Sequence, residues 1–117
     1  MALNLSKSKT YTWPVEYEYP EDGEYKTVEF IAKFKRMPQS YLVKIGKLGE
    51  RNEIEDTEVV KEVLAGWSQI TELDKDGNEV EVPFNKKNLE TLLEMPMLSA
   101  AILIAFFKGV QGSKVKN

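Results

Sequence analysis

The sequence predicts an α+β fold: a long N-terminal β-hairpin, then a small helical domain that contains a second, short β-hairpin. Three observations predict it. Apolar and polar residues alternate along two runs, Tyr11 to Tyr19 and Val28 to Phe34, on either side of Pro20-Glu21-Asp22-Gly23. Beyond Pro38 the apolar spacing changes to threes and fours, the period of a helix rather than a strand. Asp74-Lys75-Asp76-Gly77-Asn78 then separates two further short runs of strand character.

Taken in order, Met1 to Lys9 is polar with scattered apolar residues and reads as a flexible arm. In the first strand Tyr11, Trp13, Val15, Tyr17 and Tyr19 share a face, with Thr12, Pro14, Glu16 and Glu18 on the other. Pro14 has no N–H for a ladder, which places this strand at a sheet edge. The second strand sets Val28, Phe30, Ala32 and Phe34 against Glu29, Ile31, Lys33 and Lys35. Pro38 suits the first turn of a helix that carries Tyr41, Leu42, Ile45 and Leu48, with Lys44, Lys47 and Arg51 on another face. Gly49 is placed to end it. Asp56 or Thr57 is placed to cap a second helix through Val59, Val60, Val63 and Leu64, with Gly66 as its stop. Gln69 to Leu73 and Glu79 to Pro83 form the second hairpin. Asn85 caps a helix containing Leu89, Leu92 and Leu93, and Pro96 starts another that runs to about Lys108. One domain, 1–117, therefore divides into an arm (1–9), a hairpin (10–36), helices (38–65), a short hairpin (67–84), C-terminal helices (86–110) and a flexible tail (111–117).

Composition narrows the function. The 117 residues include no cysteine and no histidine, which removes thiolate chemistry, disulfides, the usual general base and the commonest transition-metal ligand. Sixteen Lys+Arg against 19 Asp+Glu give a formal charge of −3, not the field of a general nucleic-acid or anionic-membrane binder. Met1 to Lys9 lacks the apolar core of a signal peptide. The longest apolar run, Met97 to Phe107, is broken only by Ser99 and is far shorter than the roughly 20 residues of a spanning helix. No nucleic acid and no membrane are expected as partners.

Several motifs imitate chemistry. Asp74, Asp76 and Asn78 resemble the opening of a calcium loop, but Glu79 stands where that loop needs glycine and Asn85 where it needs a closing glutamate. A hairpin turn is the better reading. The aromatic strand resembles a base-stacking platform, yet it is interleaved with Glu16 and Glu18 and not with cations, so an aromatic face packed on the core or on a neighbouring subunit is favoured. Glu16, Glu18, Glu29, Glu79 and Glu81 offer carboxylate pairs, but acids alternating with apolar residues are usually a solvated strand face. Lys44, Lys47 and Arg51 beside the acidic run Glu50, Glu53, Glu55, Asp56 and Glu58 give oppositely charged zones that would suit head-to-tail self-contact. No catalytic, cofactor-binding or metal site is predicted, and the chain reads as a non-enzyme.

The most informative stretch is Met95 to Val110. On a helix, Leu98, Ala101, Ile102 and Ala105 form one stripe, Met97, Ala100, Ile104 and Phe107 a second, and Leu103, Phe106 and Val110 a third. A helix apolar on every face must be covered on every face, by its own domain or by a partner.

The block from Leu64 to Gly112 carries a family resemblance. Leu64-Ala65-Gly66-Trp67 precedes the short hairpin through Asp76-Gly77-Asn78. Val82-Pro83-Phe84-Asn85 then leads into the leucine-rich helix, followed by Met95-Pro96 and an apolar helix that ends near Gly109. This order resembles the tail assembly chaperones of siphophages. The resemblance implies a short-form chaperone that keeps a tape measure protein soluble in the host cytoplasm while tail tube protein polymerises around it. It also implies self-assembly into a homo-oligomer, absence from the mature virion, and a longer form, made by ribosomal frameshifting, that recruits tail tube protein. The alternative is a phage virion component of the head–tail connector or tail terminator type. For a chaperone of a helical client, the candidate protein-binding residues are Trp13, Tyr17, Met97, Leu103, Phe106 and Phe107, on the aromatic strand and the apolar helix. Trp67 is assigned to the core, joining helix to hairpin.

Overall fold

The computed structural model describes residues 1–6 and 8–112. The hairpin is formed by β1 (Thr10–Glu21) and β2 (Glu24–Lys35), paired over their full length from Thr10↔Lys35 to Glu21↔Glu24. Asp22 and Gly23 join them, with φ of 51° and 79°, the two left-handed residues a type I′ turn requires. Such a turn closes on a hydrogen-bonded pair, so odd-numbered residues of β1 bond to β2 and even-numbered ones point their N–H and C=O outward. The bond from Arg36 N–H to the Lys9 carbonyl (2.8 Å) keeps the same phase at the far end. Pro14 and Pro20 both fall in the outward set, where a missing N–H breaks no ladder bond and blunts the open edge.

The remaining elements are α1 (Gln39–Glu50), α2 (Asp56–Val63), β3 (Leu64–Ser68), β4 (Thr71–Leu73), β5 (Glu79–Glu81), α3 (Lys86–Leu93) and α4 (Leu98–Gln111). The three-stranded sheet has the order β1-β2-β3, which leaves β1 at an edge as Pro14 predicts, and β4 and β5 form a separate two-stranded hairpin. The α+β class, the long hairpin and the short one are therefore as the sequence predicts.

Four details differ. Leu64 to Ser68 is a strand, not the end of a helix, and Gly66 sits opposite Lys33 in β2 instead of stopping α2. A helical apolar spacing extends through Leu64, but pairing with a strand some thirty residues earlier overrides it. Neither Asp56 nor Thr57 is the N-cap of α2. Glu55 is, without a side-chain bond, while the Thr57 hydroxyl lies 3.3 Å from that of Ser99 in α4. Helix α1 passes Gly49 and ends one residue later, at Glu50. Asn52 takes the left-handed conformation (φ 55°), Asn52 N–H bonds to the Gly49 carbonyl and Glu53 N–H to that of Leu48, a Schellman closure. Helix α4 begins at Leu98, after Pro96 and a left-handed Met97. Asn85 caps α3 as predicted, its side-chain oxygen accepting from Asn88 N–H at 2.8 Å. Residues 113–117 of the predicted tail lie outside the described residues.

The core lies between the inner face of the hairpin and α4, closed by α1 and α2. Val15, Phe30, Ala32 and Phe34 from the sheet meet Ile102, Ala105 and Phe106 from α4, with Val59, Val60 and Val63 from α2 alongside. Phe106 meets Phe34 edge-on, ring centroids 5.3 Å apart. Two tyrosines of β1 fix the helix at its ends: Tyr17 donates to the Pro96 carbonyl (2.8 Å) and Tyr11 to that of Phe106 (3.3 Å). Helix and strand therefore run antiparallel. Near the C-terminal end, Gly109 allows contact with the Tyr11 and Trp13 rings; a Cβ there would lie 2.8 Å from Tyr11 Cε2. Gly109→Ala is expected to cost about 1–3 kcal/mol in urea unfolding. Gly46→Ala, in an open part of α1, is expected to stabilise by up to about 1 kcal/mol.

Tyr11 is half-buried, with the Arg36 guanidinium 5.3 Å from its ring centroid. Burial pushes its pKa up from 10.0 to about 12, and Arg36 only partly opposes this. The fold holds the protonated phenol. Its contribution is complete below pH 10.0 and is lost as pH rises toward about 12, where the unfolded chain ionises first. Solvent screening at a half-buried site reduces the expected loss to about 1 kcal/mol. Unfolding measured between pH 8 and 11.5 should show a flatter alkaline limb for Tyr11→Phe than for the wild type.

Candidate protein-binding surface

Fourteen residues of α4 carry one charge, Lys108, and the helix is not enclosed on all sides. Leu98, Ile102, Leu103, Ala105 and Phe106 are buried. Ile104 is 58% exposed, and Met97, just before the helix, 76%. Met97, Ala101, Ile104 and Lys108 follow one another at spacings of three and four, so they form a ridge along the outward side of the helix. A groove of about 300 Å³ lies on one side of the ridge, between α4 and the open edge of β1. Its walls include Trp13, Pro14 and Ala101, with Glu16 and Glu18 at its acidic rim. On the other side a groove of about 400 Å³ is lined by Ala100, Leu103 and Phe107, with Asp56 at the α2 side. Ile104 and Lys108 border both grooves. The result is an apolar ridge between two apolar-floored grooves, suited to lateral contact with another helix.

The six sequence-derived candidates separate. Met97 stands on the ridge. Trp13 and Phe107 are half-buried and each lines one groove. Tyr17, Leu103 and Phe106 are corrections, being 7%, 8% and 0% exposed. Tyr17 is turned inward to the Pro96 carbonyl, Phe106 lies between Phe34 and Phe107, and Leu103 shows only an edge at the floor of the second groove. They hold the fold and present little surface. Ile104 and Lys108, which are not among the six, continue the ridge and border both grooves. Lys108 was the available signal: a lone cation four residues from Ile104 marks the solvent side of a helix with no other polarity.

The other motifs take structural places. Tyr11 and Trp13 lie under α4, so the aromatic strand face packs on the core. Glu16 and Glu29 oppose each other on the exposed face of the hairpin. Asp74 accepts from the N–H groups of Asp76 and Asn78, both at 2.9 Å, and so closes the β4–β5 turn. Trp67 joins the sheet, not a helix, to the short hairpin: its Nε1–H donates to the Val82 carbonyl at 2.7 Å and its ring meets Phe84 edge-on. Among the described residues the sealed Tyr41 hydroxyl has no hydrogen-bond partner, and burial, then the charge of Glu62, push its pKa up. Among the described residues no group of three acids is placed to hold a metal ion, and no single helix is long and apolar enough to cross a membrane. No known protein family, characterised protein or solved structure matches the chain.

Met97 holds its exposed position with φ 65°, a conformation that glycine adopts without penalty and methionine does not. Met97→Gly is expected to raise unfolding free energy by up to about 1 kcal/mol while removing the most exposed apolar side chain of the ridge. Thermal unfolding read beside partner binding would show the two effects moving in opposite directions.

Proposed function

We propose that this chain is a non-catalytic assembly chaperone of the phage-tail type, which holds a long amphipathic helical client, the tape measure protein, against the outward side of α4. The observation that carries the reading is the Met97–Ile104–Lys108 ridge with an apolar groove on each flank. An amphipathic helix laid on such a surface buries its apolar stripe against aliphatic side chains, a contact that tolerates variation along a long client. Self-association would repeat the surface along that client, so that weak single contacts add. On this reading the protein works in the host cytoplasm and leaves before the virion is complete. A longer form made by frameshifting recruits tail tube protein.

Ile104→Asp tests it. The position is exposed, so stability should stay within about 0.5–1 kcal/mol of the wild type. Capture of a helical tape measure segment in a pull-down should fall about tenfold or more. Phe106→Ala should instead lose about 3–5 kcal/mol of stability, as expected of a core side chain. Undiminished capture by folded Ile104→Asp would overturn the assignment. Recovery of the protein from purified virions would favour a connector or terminator.

A further inference from the structure

We propose that the acidic tip of the long hairpin in one copy docks into a lysine-rimmed pocket at the base of the hairpin in a second copy. It rests on that part of the preceding reading in which copies associate, and adds the two surfaces that meet.

The tip lacks support within its own fold. Every residue from Pro20 to Glu29 is exposed, and Tyr25 is 79% exposed. Glu21 directly opposes Glu24 across the strands, with Asp22 in the turn between them, and Glu16 directly opposes Glu29. Lys26 is the one cation between Glu16 and Glu29, against six acids in that span. Like charges in direct cross-strand register weaken a hairpin, whereas a cationic receptor would turn the same arrangement into attraction.

The pocket supplies that receptor. It has a volume of about 370 Å³ and is bordered by Lys35 at the end of β2, Lys61 of α2 and Lys86 in the first turn of α3, against one acid, Glu90. Leu64 and Leu89 form an apolar floor, and Phe84 presents a partly exposed ring beside them. Three cations over an apolar floor match three acids beside an exposed tyrosine: the charges steer and the Tyr25 ring anchors.

The hairpin also determines whose tip can enter. Glu24 and Lys35 lie at opposite ends of β2, and eleven strand steps separate them by about 37 Å. A copy cannot fill its own pocket. The contact joins two different surfaces, so it closes reciprocally in a two-fold dimer or runs head-to-tail into a ring or an open filament.

Sedimentation velocity on the full chain, without client, tests the proposal. The wild type should show mass above the monomer that rises with concentration, with association weakened about tenfold or more at high salt. The double variant Glu21→Lys/Glu24→Lys should be monomeric, as should Lys61→Glu/Lys86→Glu. An equal mixture of the two should associate again, since each reversed tip then meets a reversed pocket; this rescue also shows that both variants are folded. A wild type that stays monomeric at low salt, a tip variant that associates like the wild type, or a mixture that stays monomeric would overturn the docking. With no client present, a failure here leaves capture by α4 standing, and loss of capture in Ile104→Asp leaves this interface standing.

Discussion

The structure depends on one contact, the seating of α4 along the inner face of β1. Phe106 fills the space beside Phe34, and the helix is located at two points by phenol-to-carbonyl bonds from Tyr17 and Tyr11. Between those points its buried side meets small and branched residues of the sheet, and Gly109 lets the helix close on Tyr11 and Trp13. A three-stranded sheet covered on one face cannot shed that cover: Val15, Ala32 and Phe34, all fully buried, would be returned to water. The other elements complete this layer. Helix α2 closes the side of α4, β3 covers the inner edge of β2, and the short hairpin is attached through Trp67.

The same contact determines what remains uncovered. A strand of twelve residues extends about 40 Å and a helix of fourteen about 21 Å, so a helix lying along the hairpin covers roughly half of it. Tyr17 marks the limit, since it bonds to the residue at which α4 is about to begin. Beyond it Tyr19 still packs against the core, and from Pro20 the strands continue with no layer beneath them, carrying Glu, Lys and Tyr among their side chains. The composition of the tip follows this geometry: five of the ten exposed residues from Pro20 to Glu29 are charged, and the open edge carries prolines where an added strand would need donors. The other uncovered surface, the outward side of α4, arises because the sheet, α2 and α3 approach the helix from only part of its circumference.

How much of this could be read from the sequence follows from how local each determinant is. The long hairpin was legible because period-two alternation and an Asp-Gly turn lie within one continuous stretch. Asn85 was legible because its cap is a bond to a neighbour three residues on. Strand β3 was not: Val59 to Leu64 carries helical spacing, and the feature that makes Leu64 to Ser68 a strand is the edge of β2, about thirty residues away. The binding surface was half legible. A nearly all-apolar helix shows that something must cover it, but a single cation, Lys108, is a weak guide to the direction. The apolar pattern therefore points to Leu103 and Phe106, which the core takes, as readily as to Ile104, which it leaves exposed.

On the proposed reading, the two free surfaces differ in a way that suits their tasks. A tape measure helix offers a long series of similar but unequal apolar stripes, and an aliphatic ridge accepts them because hydrophobic contact is proportional to area and indifferent to direction. Copy-to-copy contact has the opposite requirement: one register, reversible, and not replaceable by the client. Charge provides this, because a carboxylate-bearing tip is repelled by another tip and finds no cations along the ridge other than Lys108. Were both contacts apolar, each copy's ridge would be the nearest greasy surface for the next, and self-association would compete with the client for the same site. Keeping the apolar surface on α4 and the charges at the two ends of the hairpin, about 37 Å apart, lets each occupied copy leave the next one's ridge open.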